Sequence, residues 1–430
     1  MLASKFKRRR FVAGTAAASA TLVAAPFVRG AYAAGQVSVF FWDHWVPAGN
    51  VEIKKQVQAW SDKNKVEVKA DFITSQGRQN ILTINAEAQA RRGHDIVTIG
   101  NWNVRDHADK LEPVDDVVNR LIAKAGDANP VAHYLGKEKG KWVAVPSSWG
   151  TQNKGPAARI SMMKEYAGID VVKMYPASAV PETAEAKAWT NDAMLKAAEA
   201  CFKAGKPFGI GLGTTADNVD TAGSLFASYG AELVDAKGKI QIKSDAVRQA
   251  LEYAQKLVKF LPDNAQSWDD SSNNRMLIAG NSSFIYNPPS AWAVAVRDAP
   301  AVAADTWHFP VPAGPKGRFV PHSMNFWGIW QFAQNKSAAK DLIEFLMLPE
   351  NVDGRSASVM GYDLPPFAKM AESKVWDKIG PPEGSVYNYP VRPQHNAKAH
   401  LAHMPAPPEL AVQIYNRGTL PTMFAKLKAG

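Results

Sequence analysis

The stretch "VSVFFWDHW" (37–45) decides how the rest of the chain is interpreted. Val37–Trp42 is apolar at every position except Ser38, which predicts a strand buried on both faces, as in a parallel sheet covered by helices. The run stops abruptly at a carboxylate, an imidazole and a second indole, which are Asp43, His44 and Trp45. Such polar groups are costly to bury without partners. We therefore expect the end of this strand to face a ligand.

After this stretch the spacing of apolar residues alternates between the periods of a helix and a strand. Residues 53–60 have apolar groups at helical spacing, and residues 66–72 alternate as in a strand. A second helix is predicted over 81–90, and "DIVTIG" (95–100) is typical of another buried strand. Strands and helices in this order predict an α/β fold built on a parallel sheet with helices on its faces.

The first 33 residues are predicted to be a cleaved export signal. Five basic residues within 5–10 precede an apolar run, and Ala31-Tyr32-Ala33 has the small residues of a cleavage site. Arg8-Arg9-Arg10-Phe11-Val12 is typical of a twin-arginine signal, although an ordinary secretory signal with surplus basic residues is the alternative. Because the segment around 33 has no cysteine, we expect a soluble periplasmic protein without a lipid anchor.

Removing the signal changes the charge of the protein. The whole chain has 50 basic and 40 acidic residues, but six of the basic residues lie within 1–33, so the remainder has a net charge of +4 rather than +10. This modest charge argues against a nucleic-acid partner. The single cysteine, Cys201, excludes an internal disulfide, and its helical surroundings predict a small buried apolar residue.

The second half of the chain repeats the alternation of strands and helices. Strands are predicted in "KPFGIGLG" (206–213), "SSFIYNPP" (282–289), "WHFPVP" (307–312) and "FWGIWQF" (326–332), with helices after Ser244 and from a Ser337 cap to Leu348. The 397 residues after the signal exceed what one core usually organises, which predicts two lobes. Extended, proline-containing segments at 141–149 and 308–315 are predicted to cross between them.

Tryptophans recur where predicted strands end. Trp102, Trp149 and Trp292 each follow a strand, and amide, hydroxyl or carboxylate side chains accompany them. Ligands of parallel sheets bind beyond the carboxyl ends of the strands. Aromatic faces beside a few polar groups suit a solute with C–H faces and many hydroxyls, which is a sugar or polyol. Any one of these tryptophans is equally well explained by packing, and Trp60 and Trp142 are predicted to be core residues.

Several motifs together resemble the extracellular solute-binding proteins of ABC importers, in the group that includes carbohydrate binders. The motifs are "GHDIVTIGNW" (93–102), "LEPVDDVV" (111–118), "KGKWVAVPSSW" (139–149), "LIAGNSSFIYNPPSAW" (277–292), the segment 323–351 and "GYDLPPF" (361–367). The chain departs from the family pattern in "GTQNKGPAARISMM" (150–163) and at 322–325, so the identity of the ligand is not transferable from a relative.

The resemblance implies a two-lobed periplasmic binding protein fold, in which each lobe has a mostly parallel sheet flanked by helices and the ligand lies between the lobes at the hinge. The lobes are predicted to be discontinuous, with 34–145 and 311–350 in the N-terminal lobe and 146–310 and 351–430 in the C-terminal lobe. The family further implies a monomer that delivers its solute to a membrane permease, with no catalytic residue, no cofactor and no metal.

The resemblance also implies a set of ligand contacts at strand ends and at the hinge. These are Trp42, Asp43, His44, Trp45, Gln76, Asn101, Trp102, Ser148, Trp149, Tyr286, Trp292, Asn325 and Tyr362. Among them Asp43 is predicted to accept hydrogen bonds from two hydroxyls, because a carboxylate makes stronger, charge-assisted bonds than a neutral amide.

Three alternatives remain open at this point. The same aromatic residues and Asp43 would equally suit a cationic or amine solute. A periplasmic enzyme acting on carbohydrate would need two carboxylates across the cleft, for which Asp43 with Asp269 or Asp270 is the pair to test. Finally, His395, His400 and His403 form a cluster, for which a solvated helix face is favoured over a metal site.

Overall fold

The computed structural model describes residues 35–176, 182–375 and 397–430. The predicted export signal lies outside these ranges. The strands are β1 Gln36–Trp42, β2 Glu67–Ile73, β3 Ile96–Gly100, β4 Lys137–Glu138, β5 Lys141–Trp142, β6 Val145–Asn153, β7 Pro156–Arg159, β8 Phe208–Gly209, β9 Phe284–Tyr286, β10 Thr306–His308, β11 Phe319–Ile329 and β12 Lys398–His400.

The helices cover the faces of the sheets and connect their strands. They are α1 Pro47–Asn64, α2 Gln79–Ala90, α3 Asn103–Asp106, α4 Asp115–Ala125, α5 Pro130–Gly136, α6 Ile160–Ala167, α7 Val171–Met174, α8 Ala184–Ala188, α9 Asn191–Lys203, α10 Ala216–Ser228, α11 Asp245–Leu257, α12 Ser272–Ile278, α13 Ser290–Asp298, α14 Pro300–Ala304, α15 Lys336–Leu346, α16 Pro349–Ser358, α17 Pro408–Asn416 and α18 Thr419–Ala429. Within the described ranges, no helix combines the length and the apolar character needed to cross a membrane.

The first sheet is built around the opening stretch. Its order is β12-β11-β3-β1-β2, and β6 also pairs with β11. β1 is parallel to both β2 and β3. Val39, Phe40 and Phe41 are fully buried because helices cover both faces of the central strand. The predicted strand at 37–42 is thus confirmed, and its carboxyl end points to one edge of the sheet.

The crossing between the lobes is a pair of long antiparallel strands, β6 and β11. Asn325 of β11 is opposite Ser147 of β6 and also opposite Gly100 of β3. The earlier end of β11 pairs with β12 and with the last residues of β6. The prediction of a crossing at 141–149 is close to β6, but the one at 308–315 is wrong, because Phe309 and Val311 lie in the core of the second lobe. Proline content in that segment reflects an irregular edge and not a hinge.

The second sheet has the order β10-β7-β9-β8. β7 pairs antiparallel with both β10 and β9, and only β8 and β9 are parallel. The two-lobed α/β fold is as predicted, but this sheet is not mostly parallel. The direction of a strand leaves no trace in the spacing of its apolar residues.

Two hydrophobic cores correspond to the two lobes. The second core contains Cys201, which is fully buried as predicted. The predicted assignment of 351–430 to the second lobe needs correction, because residues 352–370 pack in the first core. The C-terminal segment is divided, since Tyr415 of α17 lies in the first core and Phe424 of α18 in the second.

The helix predicted after Ser244 begins there, and the Ser244 side chain accepts a hydrogen bond from the backbone of Val247. The cap predicted at Ser337 is wrong. Asn335 caps α15 instead, and its side chain accepts from the backbone of Ala338. Both residue types cap helices well, so composition alone does not separate them.

Candidate functional site

A cleft lies between the carboxyl ends of β1 and β3 in the first lobe and the start of α10 in the second. Its inner part encloses about 560 Å³ and its outer part about 800 Å³, both open to solvent. The two parts share Ser75, Asn80, Ala216 and Asp270, so they form one continuous site. Clefts at the carboxyl ends of sheet strands are typical of small-molecule sites.

Two indoles form the first-lobe wall of the cleft. The rings of Trp42 and Trp45 are perpendicular, with centroids 6.3 Å apart, and Trp42 Nε1 donates to Ser75 Oγ at 3.3 Å. Trp42 packs closely on the backbone of Gly150, where a Cβ would lie 2.8 Å from the ring. Gly150 also has a φ of +76°, in the left-handed region that favours glycine. The wall therefore depends on glycine at this point of β6.

The second-lobe wall is acidic and contains a buried lysine. Lys154 Nζ lies 2.7 Å from Asp217 Oδ1 and 2.9 Å from Asp220 Oδ2, and its side chain is only 1% exposed. Burial alone would lower the pKa of Lys154, but the charges of Asp217 and Asp220 outweigh it and raise this pKa. The lysine is thus held charged by its two carboxylate partners.

Asp270 is the third carboxylate of this wall, and it makes no ion pair with the residues that the structure describes. One of its oxygens accepts from the backbone N–H of Asp217 at 3.2 Å. Burial, together with the negative charge of Asp217, raises the pKa of Asp270 to about 7. Near neutral pH this carboxyl group is therefore divided between its protonated and ionised forms.

Gln152 lies on β6 between the two walls. Gly150 and Gln152 lie two residues apart on the strand, Lys154 follows directly after its end, and all three line the cleft. The Gln152 side chain is largely buried, and within the described parts of the chain its Oε1 has no hydrogen-bond partner. A buried acceptor without a partner is costly, which indicates that a bound molecule donates to it.

The structure brings together five of the predicted site residues. Trp42, Trp45, Gln76, Asn101 and Asn325 all line the cleft. They come from β1, the segments after β2 and β3, and β11, so the strand-end argument places them correctly. Their ligand contacts remain a prediction.

The two amides in this set are committed to the protein. Asn101 Nδ2 donates to Tyr415 Oη at 2.9 Å, and its Oδ1 accepts from the backbone of Met324 at 2.8 Å. Asn325 Nδ2 donates to the carbonyl of Trp149 at 3.0 Å. These side chains hold β3, β6 and β11 together beneath the cleft, which leaves them little capacity to bind a solute.

Another group of predicted residues lies directly behind the aromatic wall. His44 Nδ1 accepts from the backbone of Val46, so its Nε2 donates to Asp363 Oδ1 at 3.1 Å. Trp149 Nε1 donates to the carbonyl of Trp42 at 3.0 Å, and the Tyr362 ring is stacked beside Trp42 at 6.3 Å. These side chains are almost completely buried, so they support the wall and do not form its surface.

Ser148 belongs to the same buried layer. Its Oγ accepts from Arg355 Nη2 at 3.2 Å, and Arg355 Nη1 donates to Gln56 at 2.6 Å. The Arg355 guanidinium also lies 5.5 Å from the centre of the Trp327 ring. Burial lowers the pKa of Arg355 to about 10, so it stays charged at neutral pH.

Four predicted contacts lie away from the cleft surface. Asp43 Oδ1 accepts from Asn50 Nδ2 at 2.6 Å, close to the start of α1. Trp102 is fully buried and donates to the carbonyl of Ala402. Trp292 is 2% exposed in the first core, and Tyr286 is 9% exposed in the second. A tryptophan after a strand is thus as often a packing residue as a wall of the site.

Sequence reasoning missed Gln152, Lys154 and Asp217. Gln152 and Lys154 lie in the segment that departs from the family pattern, and the alternation along β6 was the signal that would have put them on one face. Asp217 lies in the first turn of α10, where an acidic residue is usually explained by the helix dipole. Asp270 was considered only as half of a catalytic pair.

The histidine cluster differs from its prediction. His400 lies in β12 and His403 in the following turn, not on a solvated helix. Burial lowers the pKa of His400 to about 4 and that of His403 to about 3, so both are neutral. His395 lies outside the described residues.

Comparison with known proteins identifies the family. The model of a family described as bacterial extracellular solute-binding protein matches residues 55–380. A curated relative from Deinococcus radiodurans, described as a probable ABC transporter-binding protein, is 27% identical over 238 residues. That match covers 52% of this chain and 53% of the relative, so the chain spans about half the length of the curated relative it matches.

Solved structures resemble the whole fold. A maltose-bound MalE3 from T. maritima has a TM-score of 0.69 at 17% identity, covering 92% of this chain and 98% of that one. The GacH receptor of Streptomyces glaucescens has a TM-score of 0.67 at 18% identity, with 92% and 97% covered. A chitin oligosaccharide binding protein has a TM-score of 0.65 at 17% identity, with 92% and 98% covered. At these identities the likeness establishes the two-lobed fold.

Proposed function

Because the chain belongs to the bacterial extracellular solute-binding protein family, we propose that it is the receptor of an ABC importer and binds a sugar or polyol in the cleft between its lobes. The observation that carries this proposal is the pair of indoles, Trp42 and Trp45, facing a hydrogen-bonding wall across a cleft of several hundred Å³. Indole faces pack against the C–H faces of a sugar ring, while polar groups opposite bind its hydroxyls. The sugar-bound and sugar-binding structures with the same fold support this assignment.

The site assignment within this proposal is narrower than the full set predicted from sequence. Trp42 and Trp45 stack on the solute from the first lobe, and Gln76 contacts it at the outer rim. Gln152, on the strand between the lobes, and Asp217 and Asp270, on the second lobe, accept its hydrogen bonds. Asn101 and Asn325 position the strands that carry these groups.

Because the solute contacts both lobes, its binding favours closure of the lobes. A solute that touches both walls stabilises the closed arrangement, because the open one offers it only one wall. The strands β6 and β11 run between the lobes and serve as the hinge. The closed receptor is a monomer that presents its solute to the membrane permease.

The location of the receptor rests on its N-terminal sequence. Residues 1–33 direct export, through the twin-arginine route, and the mature protein is soluble in the periplasm without a lipid anchor. No step of this function requires a catalytic residue, since the solute is handed over unchanged.

The test is a binding screen on the purified protein. Thermal unfolding in the presence of neutral monosaccharides, disaccharides and polyols identifies a ligand, and native mass spectrometry of gently purified protein identifies one that co-purifies. Trp45→Ala is then expected to weaken the affinity for that ligand by about tenfold or more in calorimetry. Phe202→Ala, which removes an exposed aromatic ring from α9 of the second lobe, is the matched control and should bind as the wild type does. The proposal fails if no sugar or polyol binds, or if both variants bind equally well.

A further inference from the structure

We propose that the solute carries a protonated amine beside its hydroxyl groups, and that the carboxylates of Asp270 and Asp217 bind this amine. The inference rests on the proposed function and narrows it to amino sugars and amino polyols. It follows from the hydrogen-bonding groups and the charges that the cleft offers.

The inner cleft offers several hydrogen-bond acceptors. Gln152 Oε1 is a buried acceptor that has no partner within the described parts of the chain, and Asp217 and Asp270 contribute carboxylate oxygens along the same surface. By contrast, the amide nitrogens of Asn101 and Asn325 already donate within the protein. A solute that fits this surface must be rich in donors. An ammonium group has three N–H donors and no acceptor.

The charges of the same wall point in the same direction. Lys154 is paired at 2.7 Å with Asp217 and at 2.9 Å with Asp220, so its single positive charge already serves two carboxylates. Asp270 adds a third carboxylate next to Asp217, whose backbone it contacts. The cationic side chain of Arg78 lies at the outer rim, where it is exposed and screened by solvent. The inner cleft therefore has an excess of negative charge that a bound cation would neutralise.

The opposite wall suits the same ligand. Indole faces attract a cation through their electron-rich surface as well as packing on C–H groups. Trp42 and Trp45 can therefore hold either part of an amino sugar, while the carboxylates determine where its nitrogen lies. A neutral sugar offers no charge to the carboxylates and would favour the protonated form of Asp270, whereas an ammonium group pairs with the ionised form more strongly where water is excluded.

The experiment compares ligands that differ only at the nitrogen. D-Glucosamine, D-galactosamine and the disaccharide of glucosamine are each tested by calorimetry against the N-acetyl form and the neutral parent sugar, and putrescine tests an amine without hydroxyls. At least one amino sugar is expected to bind about tenfold or more tightly than both of its neutral counterparts.

Asp270→Asn separates charge from shape, because asparagine keeps an oxygen that accepts from the backbone of Asp217. This variant is expected to lose about tenfold or more in affinity for the amino sugar and less for the neutral parent, so that the preference for the amine falls. Asp298→Asn removes an exposed carboxylate that pairs with Arg297 on α13 and serves as the control. Thermal unfolding of each variant verifies that it is folded.

Each outcome separates this inference from the proposed function. If neutral sugars bind as tightly as amino sugars, or Asp270→Asn leaves the preference unchanged, the inference of an amine-bearing solute is wrong. The proposed function as a sugar receptor is then retained. If putrescine binds and every sugar fails, the carboxylate site is right and the sugar is wrong. If no member of the panel binds, the amine is wrong, and the broader screen of neutral sugars and polyols decides the proposed function.

Discussion

At the scale of single residues, the cleft is defined by how its charges are paired. Lys154 is nearly inaccessible to solvent, yet it is charged because Asp217 and Asp220 flank it. His322 on the neighbouring β11 faces the same group of charges, and burial lowers its pKa to about 4. It therefore stays neutral, so Asp270 is the group of this wall whose pKa lies near 7. Protonation of this one carboxyl group should set how the site responds to pH.

The ligand-free protein is predicted to lose stability as pH rises from 5 to 8, through Asp270. Its pKa is raised from 3.8 to about 7 in the folded state, so the folded protein holds a proton that the unfolded chain has released. The stabilisation from this group is full below the unfolded pKa and is lost as pH rises through the folded one. We expect it to fall by about 1 to 2 kcal/mol over this range. The measurement is urea unfolding of the wild type and of Asp270→Asn at several pH values.

The difference between the two proteins isolates Asp270 from the other groups that face it. Those groups are Lys154 directly after β6, Asp217 and Asp220 on α10, His322 on β11 and Tyr415 on α17. A difference that stays constant from pH 5 to 8 would contradict the raised pKa of Asp270.

The sequence indicated which types of residue the site contains better than it indicated which of them face the cleft. Trp42 and Trp45 were identified because two indoles next to polar groups at a strand end are unusual both in a core and in solvent. Asp43 was chosen for the same reason, but a hydrogen bond to Asn50 directs it elsewhere. One residue along a strand end or turn changes which way a side chain faces, and no pattern of residue types specifies this. Asp217 and Asp270 meet only because two distant loops fold together.

At the scale of elements, β6 is the strand that contributes both to the cleft and to the connection between the lobes. It carries Ser148, which is bonded to Arg355 in the buried layer, and Gly150 and Gln152, which line the cleft. It pairs with β11, and the two strands connect the lobes. Helices such as α11 and strands such as β1 were predicted from periodicity because their burial is regular. β6 is almost wholly buried and shows no such period, so Ser148 and Trp149 were predicted as contacts while Gln152 was left out of the predicted set.

Gly150→Ala is predicted to destabilise the protein and weaken binding. The new Cβ would lie 2.8 Å from the ring of Trp42 and 2.5 Å from Asn325 Nδ2, in a left-handed backbone conformation. We expect a loss of about 2 kcal/mol or more in the free energy of unfolding, from backbone strain and overpacking together. Chemical denaturation measures this loss.

Gly205→Ala is the matched control for that substitution. Gly205 has a similar φ of +71°, but no atom of the described residues lies within 4 Å of the Cβ position. Its cost should be only the conformational term of about 1 kcal/mol. Equal losses at the two glycines would show that the contact with Trp42 contributes nothing.

At the scale of the whole molecule, two cores share one cleft. The first core includes β1 and residues 352–370, and the second includes Cys201. The sequence predicted two lobes from chain length and from the order of its elements. It did not place the C-terminal segment, because residues 401–430 divide their apolar groups between the two cores and local patterns contain no information about which core they join.

Ligand binding is predicted to slow the chemical labelling of Cys201. This single thiol is fully buried in the second lobe, so a thiol reagent reaches it only when that lobe opens. A solute that contacts both lobes at 100 times its dissociation constant stabilises the closed, folded state by about 2.7 kcal/mol, which would slow labelling by up to about 100-fold. The rate of reaction with a coloured disulfide reagent is the measurement.

The control for this experiment is Trp45→Ala at the same ligand concentration. Trp45 lies in the first lobe, and its loss should restore fast labelling of a cysteine in the second. A ligand that leaves the wild-type rate unchanged would show that it does not couple the lobes.

The placement of Gln152 on a strand that joins the lobes has a consequence for how such receptors diversify. A substitution on β6 alters what the protein recognises and, at the same time, how readily its lobes swing together. Solute specificity and lobe closure therefore change together when β6 is substituted. Residues on the outer walls, such as Ser75 and Asp270, are free of this constraint. New specificities should thus evolve, or be engineered, most easily from the walls inward, with the joining strands left unchanged until last.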